Sequence, residues 1–169
     1  WAAAYLGAVV VPIVHFYGAK EVDYILRSTQ PAVVVSADRF GHVEHLAVHG
    51  EAMANTPVEH WFVVGETPAA GLPTAAQPFA TLLDAEPLAQ HAAVNPDAPT
   101  IIGFTSGTTR DPKGVVHSHR TIACETRQLD YMYPQGGPSP ITGAPVGHFI
   151  GMLNAFLTPL LREREVHLV

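Results

Sequence analysis

The sequence predicts an α/β fold, a parallel sheet with flanking helices. Three observations carry that prediction. Short runs of β-branched residues recur along the chain and alternate with stretches of helical spacing, the order produced by strand-helix-strand units. The composition is globular, 47% hydrophobic and 14% charged. The length of 169 residues fits one domain with a real core, since domains usually run to roughly 100–200 residues.

The elements follow in chain order. Trp1 to Ala19 contains no Asp, Glu, Lys or Arg, which brings a membrane span into consideration. Gly7, Pro12, His15 and Gly18 interrupt the stretch, so it reads as a helix end, a glycine turn and a buried strand over Val9 to Val14. There is no basic leader and no small-residue cleavage site ahead of a polar chain, so it does not read as a signal peptide. An opening in mid-helix without Met predicts a piece of a longer protein. Ala19 to Ser28 places Val22, Ile25 and Leu26 on one helical face and is stopped by Pro31. Ala32 to Ser36 is a continuous apolar run, as in a strand covered on both faces. Asp38 to Glu51 has helical spacing, and His60 to Val64 is the next strand. From 65 to 99 the texture turns Pro- and Ala-rich, a surface connection with one short helix near Phe79 to Ala85. Thr100 to Thr105 is a strand, and Ser118 to Tyr131 a helix capped by Ser118 or Thr121.

The charge balance excludes some partners. With a net charge of −6 and no run of basic residues, neither nucleic acid nor an anionic membrane surface is an expected partner. Cys124 is the single cysteine. That leaves no internal disulfide and no Cys-rich zinc site, and points to a reducing, cytoplasmic setting. Cys124 itself reads as a core residue rather than a nucleophile. Asp130, Glu163 and Glu165 read as solvated charges.

The strand ending at Thr105 leads into the most unusual segment, Thr105-Ser106-Gly107-Thr108-Thr109-Arg110-Asp111-Pro112-Lys113-Gly114. Glycines let backbone N–H groups turn toward an anion, hydroxyls add donors, and a lysine adds a point charge. The bland alternative is a Ser/Thr-rich turn between strands; hydroxyl density followed by Lys-Gly favours an anion site for a triphosphate. Spacing excludes three better-known loops. Five residues separate Gly107 from Lys113, Pro112 stands where a Walker loop needs its second glycine, and Gly114 replaces the magnesium-binding hydroxyl. A nucleophile elbow needs its serine one place earlier than Ser106. No dinucleotide G-x-G-x-x-G is present.

The segment resembles the phosphate-binding signature of the adenylate-forming superfamily of acyl-CoA synthetases, luciferases and peptide-synthetase adenylation domains, usually Tyr/Phe-Thr-Ser-Gly-Ser/Thr-Thr-Gly-x-Pro-Lys-Gly. Phe104 through Gly114 matches nearly every position, and Val115 to Arg120 is similar to the family's continuation. Arg110 stands where the family usually has Gly; its side chain either restricts the loop or adds a second cation. Upstream, Ala3 to Ile13 and Glu21 to Leu26 resemble the family's helix-turn-strand and following helix. Downstream, Gly143 to Gly151 is similar to its P-x-x-H-x-x-G element, with His148 as the histidine.

The resemblance implies an ATP-dependent acyl-CoA synthetase that activates a carboxylic, fatty acid as acyl-adenylate and transfers it to CoA. It makes residues 1–169 part of the large N-terminal, AMP-binding domain, without the C-terminal domain. Thr105, Ser106, Gly107, Thr108, Thr109, Lys113 and Gly114 would bind ATP phosphate, and His148 and Lys113 would be catalytic. ATP and Mg²⁺ are the implied cofactors, with the Mg²⁺ ligands mostly outside this segment, and CoA and a small carboxylic acid the implied partners. The later family signatures are absent, so the expectation is a fragment inactive alone, exposing apolar surface through which it could self-associate. The competing reading is a stand-alone or degenerate nucleotide- or phosphate-binding module without ligase activity.

Without that resemblance, His148 reads as a satisfied interior histidine. His117 and His119 lack a third partner of metal-ligand spacing and read as loop residues. Phe149, Met152 and Phe156 read either as the start of an acyl pocket or as plain core. The apolar tone of Ile150 to Leu161 leans toward a fatty or cyclic aliphatic acid.

Overall fold

The computed structural model describes residues 1–105, 111–133 and 141–168. In chain order the elements are α1 (Ala2–Tyr5), α2 (Ala19–Thr29), β1 (Val33–Ala37), β2 (Arg39–Phe40), β3 (Val43–Glu44), α3 (His45–Asn55), β4 (His60–Val64) and β5 (Ala76–Pro78). They continue with β6 (Pro99–Thr105), β7 (Lys113–Ser118), α4 (His119–Met132), β8 (Ile141–Thr142), α5 (Phe149–Met152), α6 (Thr158–Leu161) and β9 (His167–Leu168). Two compact units contain them: Phe16–Ala89 with Thr108–Pro112, and Trp1–His15 with Gln90–Gly107 and Lys113–Val169.

The parallel sheet lies in the Phe16–Ala89 unit, in the order β1-β4-β5 with both pairings parallel. Its register sets Val34, Trp61 and Val63 on one face, all buried, and the Trp61 indole N–H donates to Ser36 Oγ at 2.9 Å. Helix α2 buries Val22, Ile25 and Leu26, the stripe its spacing predicts. Full burial of such side chains stabilises by about 1.5–3 kcal/mol each. Gln30, in the left-handed region at φ 45, ends the helix just before Pro31. Helix α3 packs with α2 and β1 and buries His45, His49, Ala52 and Met53.

Two readings of this unit are corrected. The helix expected from Asp38 starts only at His45, because β2 and β3 form a tight antiparallel hairpin first. Gly41 at φ +59 turns the chain there, a conformation that ends a helix. The connection after Gly65 is also more than surface chain. Ala76–Pro78 adds a third strand to the sheet, followed by the expected short helix as a 3₁₀ stretch, Phe79–Asp84. Pro78, which lacks an N–H, sits at the end of this edge strand.

In the other unit, β6 and β7 pair antiparallel. The strand expected over Val9 to Val14 is reduced to one parallel bridge, Val10 to Ile101, with Val10 N donating to Thr100 O at 2.8 Å and Ile102 N to Val10 O at 2.9 Å. The next donor in such a ladder would be residue 12, a proline, so the ladder stops there. Ser118 caps α4 as expected. Its Oγ accepts from Thr121 N at 3.2 Å while its own N–H donates to Thr121 Oγ1 at 2.9 Å.

Helix α4 buries Thr126, whereas Cys124 is exposed, contrary to the core reading. Asp130 is not simply solvated either. Its carboxylate takes the Arg162 guanidinium, which also donates to the carbonyls of Asp130 at 2.7 Å and Tyr133 at 3.1 Å. Arg162 thereby satisfies carbonyls at the end of α4 and stands 5.7 Å from the Tyr133 ring centre. Between α5 and α6 the residues Leu153–Leu157 form a π-helical turn. Pro159 follows one residue later; it offers no N–H and its ring crowds the carbonyl four residues back, which opens the preceding turn.

Candidate functional site

The expected phosphate segment begins and ends on the β6–β7 pair. Thr105 and Lys113 are cross-strand partners at its open end, and the Thr105 hydroxyl lies 3.4 Å from the Lys113 carbonyl oxygen. Both side chains are exposed. Lys113 makes no ion pair among the described residues. Ser106, Gly107, Thr108 and Thr109, together with Arg110, lie outside the described residues.

Cross-strand partners share a face, so Thr105 with Lys113, Gly103 with Val115 and Ile101 with His117 stand on one side of the pair. Phe104 with Gly114 stands on the other. A Cβ on Gly114 would lie 3.1 Å from Ile102 Cγ2 and 3.3 Å from Phe104 Cζ. The aromatic ring therefore covers the glycine, and that is a physical reason for Lys113 to be followed by Gly.

His148 precedes α5 as its N-cap residue and is exposed. Its N–H donates to Pro145 O at 2.9 Å and its carbonyl accepts from Met152 N at 2.9 Å. Two glycines make the turn possible. A Cβ on Gly151 would stand 2.0 Å from Pro145 O, and one on Gly147 would stand 3.2 Å from Ile13 O. The P-x-x-H-x-x-G spacing thus closes a loop so tight that its last position admits no side chain.

The next residue, Phe149, lies against the β6–β7 pair. Its ring stacks on His117, with 4.1 Å between centroids and 15° between planes, and its Cβ lies 3.9 Å from where Gly103 would carry one. His117 and Gly103 belong to the same face as Thr105 and Lys113. The structure therefore docks the His148 turn on the face that carries the lysine. His117, read as a loop residue, is a strand residue; the alternation of Lys113, Val115 and His117 was the signal that could have found it. Phe149 packs on His117.

A concavity lies in the Phe16–Ala89 unit, with a volume of about 510 Å³, lined by Asp38, Arg39, Glu44, Gly65, Glu66 and Thr67. Asp38 follows β1 and Gly65 follows β4, at the carboxyl ends of two parallel strands. The Asp38 carboxylate accepts from the Thr67 hydroxyl at 2.7 Å, Thr67 N at 2.9 Å, Glu66 N at 3.0 Å and Arg39 N at 2.5 Å. These donors, the Thr67 hydroxyl first, pull its pKa from 3.8 down to about 2. Four donors occupy the carboxylate, so it organises the loop after β4 rather than awaiting a ligand. Gly65 is required beneath it, since a Cβ would fall 2.0 Å from Asp38 Oδ1.

The family model for AMP-binding enzymes matches residues 1–169. This chain belongs to the AMP-binding enzyme family. It is 32% identical over 151 residues to the fatty acid–acyl-carrier-protein ligase ScoC of Streptomyces coeruleorubidus, covering 86% of this chain and 26% of that protein. To a mitochondrial malonate–CoA ligase of Homo sapiens it is 26% identical over 161 residues, 95% of this chain and 25% of that protein. Among solved structures, the anthranilate CoA ligase AuaEII in complex with anthranoyl-AMP superposes with a TM-score of 0.82 at 22% identity, over 96% of this chain and 31% of that one. The chain thus has the fold of the matching third of that ligase. The chain spans about a quarter of the length of these two curated relatives. Among its described residues, no helix is long and apolar enough to cross a membrane, and no group of three His, Cys, Asp or Glu could hold a metal ion.

Proposed function

We propose that the chain is part of the N-terminal domain of an AMP-forming acid-thiol ligase. In that reaction a carboxylate attacks the α-phosphate of ATP, forming a C–O–P bond as the bond to pyrophosphate breaks. The thiol of CoA then takes the acyl group and releases AMP. The carrying observation is the shared face of the β6–β7 pair, with exposed Thr105 and Lys113 at one end and the His148 turn docked on it through Phe149.

One anion attacking another needs neutralisation of the β- and γ-phosphates. Lys113, the Thr105 hydroxyl and the segment of Ser106, Gly107, Thr108, Thr109 and Gly114 supply donors and charge, and His148 meets the carboxylate and leaving pyrophosphate. Mg²⁺ would add positive charge at the phosphates; the described residues offer no cluster to hold it, and we assign its ligands to other parts of the enzyme. The substrate class is a fatty or related small carboxylic acid, the setting cytoplasmic, and the 169 residues alone do not complete a ligase.

Exposed Val33, Val35 and Val64 stand on one face of β1 and β4, apolar surface for further polypeptide or a second copy to cover. Pyrophosphate release by the full-length protein, measured across a panel of carboxylic acids with ATP and CoA, tests the proposal. Acid-dependent release with acyl-CoA formation supports it. ATP binding without release for any acid would favour the non-catalytic module.

A further inference from the structure

The ring of His148 makes no hydrogen bond among the described residues, so its placement depends on its backbone and its neighbours. On one side Gly147 rests against the chain at Ile13 and Val14. On the other, Phe149 meets the flat ring of His117 and passes over Gly103, with its Cβ 3.9 Å from where a Gly103 Cβ would stand, ordinary van der Waals contact. His117 stands on the same strand and face as Lys113. A stacked ring pair constrains both separation and tilt, which an aliphatic contact does not.

We infer that His117 is a positioning residue for His148: its ring, stacked on Phe149, sets the His148 turn against the strand that carries Lys113. The inference rests on the ligase reading above and adds to it a residue that touches neither nucleotide nor acid. The role belongs to the flat ring face and needs no proton from His117.

The test is single-turnover adenylate formation by the full-length enzyme, with ATP affinity and thermal midpoint measured in parallel. His117→Ala should slow adenylate formation about three- to tenfold, the rate equivalent of one aromatic pair, while ATP affinity stays within about twofold. His117→Phe should restore the rate and His117→Leu should not, although both keep an apolar side chain. The double variant His117→Ala/Phe149→Ala should be no slower than the worse single variant, the coupling expected of one shared contact.

An unchanged rate in His117→Ala, parallel losses of rate and ATP affinity, or no rescue by a folded His117→Phe overturns the inference. If His117→Ala does not fold, the comparison of His117→Phe with His117→Leu decides. A wild-type enzyme that forms no adenylate from any acid overturns the ligase reading itself, an outcome distinct from an active wild type whose rate ignores the His117 ring.

Discussion

Gly151 packs so closely under Pro145 that a Cβ on it would stand 2.0 Å from the Pro145 carbonyl oxygen and 2.6 Å from its carbonyl carbon. Backbone must move if any side chain is added. Gly151→Ala should destabilise the chain by about 1–3 kcal/mol, the range of overpacking. It should also displace the His148 turn. Thermal unfolding reads the first effect and adenylate formation the second; a wild-type midpoint would refute the packing argument.

Lys113 is exposed at the end of the strand pair, with no ion-pair partner among the described residues. In the full-length enzyme, Lys113→Ala should weaken ATP about 10- to 100-fold, the loss of one hydrogen bond from a charged donor. His148→Ala should instead lower the adenylation rate about 100-fold with little change in ATP affinity. Calorimetric ATP titration and single-turnover kinetics separate the two. Intact adenylate formation in Lys113→Ala would remove the role given to the phosphate segment.

Asp38 ties the loop after β4 to the end of β1 through Glu66 and Thr67. Because its pKa falls from 3.8 to about 2 on folding, its contribution is present above the unfolded value and is lost as pH falls through the folded one. Acid titration should therefore loosen this loop between about pH 4 and 2. Asp38→Asn should loosen it at neutral pH. Amide exchange at Glu66 and Thr67 is the measurement, and unchanged protection in the variant would contradict it.

Arg162 joins the end of α4 to the end of α6 through Asp130 and Tyr133, with only 14% of its side chain and 22% of that of Asp130 exposed. Arg162→Ala leaves a half-sequestered carboxylate and two carbonyls without this donor. It should cost about 1–3 kcal/mol, below the figure for a fully buried pair because water still reaches both groups. Chemical unfolding checks it. Arg162→Lys should recover only part, since one ammonium cannot span three acceptors in a fixed fork.

Helix α2 and the strands β1, β4 and β6 were legible because periodicity and Pro or Gly punctuation are local signals. The hairpin before α3 and the strand Ala76–Pro78 were not. Asp38 looked like a helix start until donors from beyond β4 captured its carboxylate. Ala76–Pro78 has no strand-like alternation, and it becomes a strand by pairing with β4. At the site, Phe104 to Gly114 was legible because the pattern is contiguous, although Ser106 to Arg110 lie outside the described residues.

Residue chemistry and short-range spacing sufficed to single out the hydroxyl-rich segment and Lys113, while His148 and the family were legible only through the resemblance of contiguous motifs. They could not say that the His148 turn rests on the strand face bearing Lys113. That arrangement depends on a ring contact between residues far apart in the chain, and on the missing side chains at Gly147 and Gly151 that let backbone segments close together. Such contacts are matters of volume and packing in three dimensions, to which no local pattern corresponds.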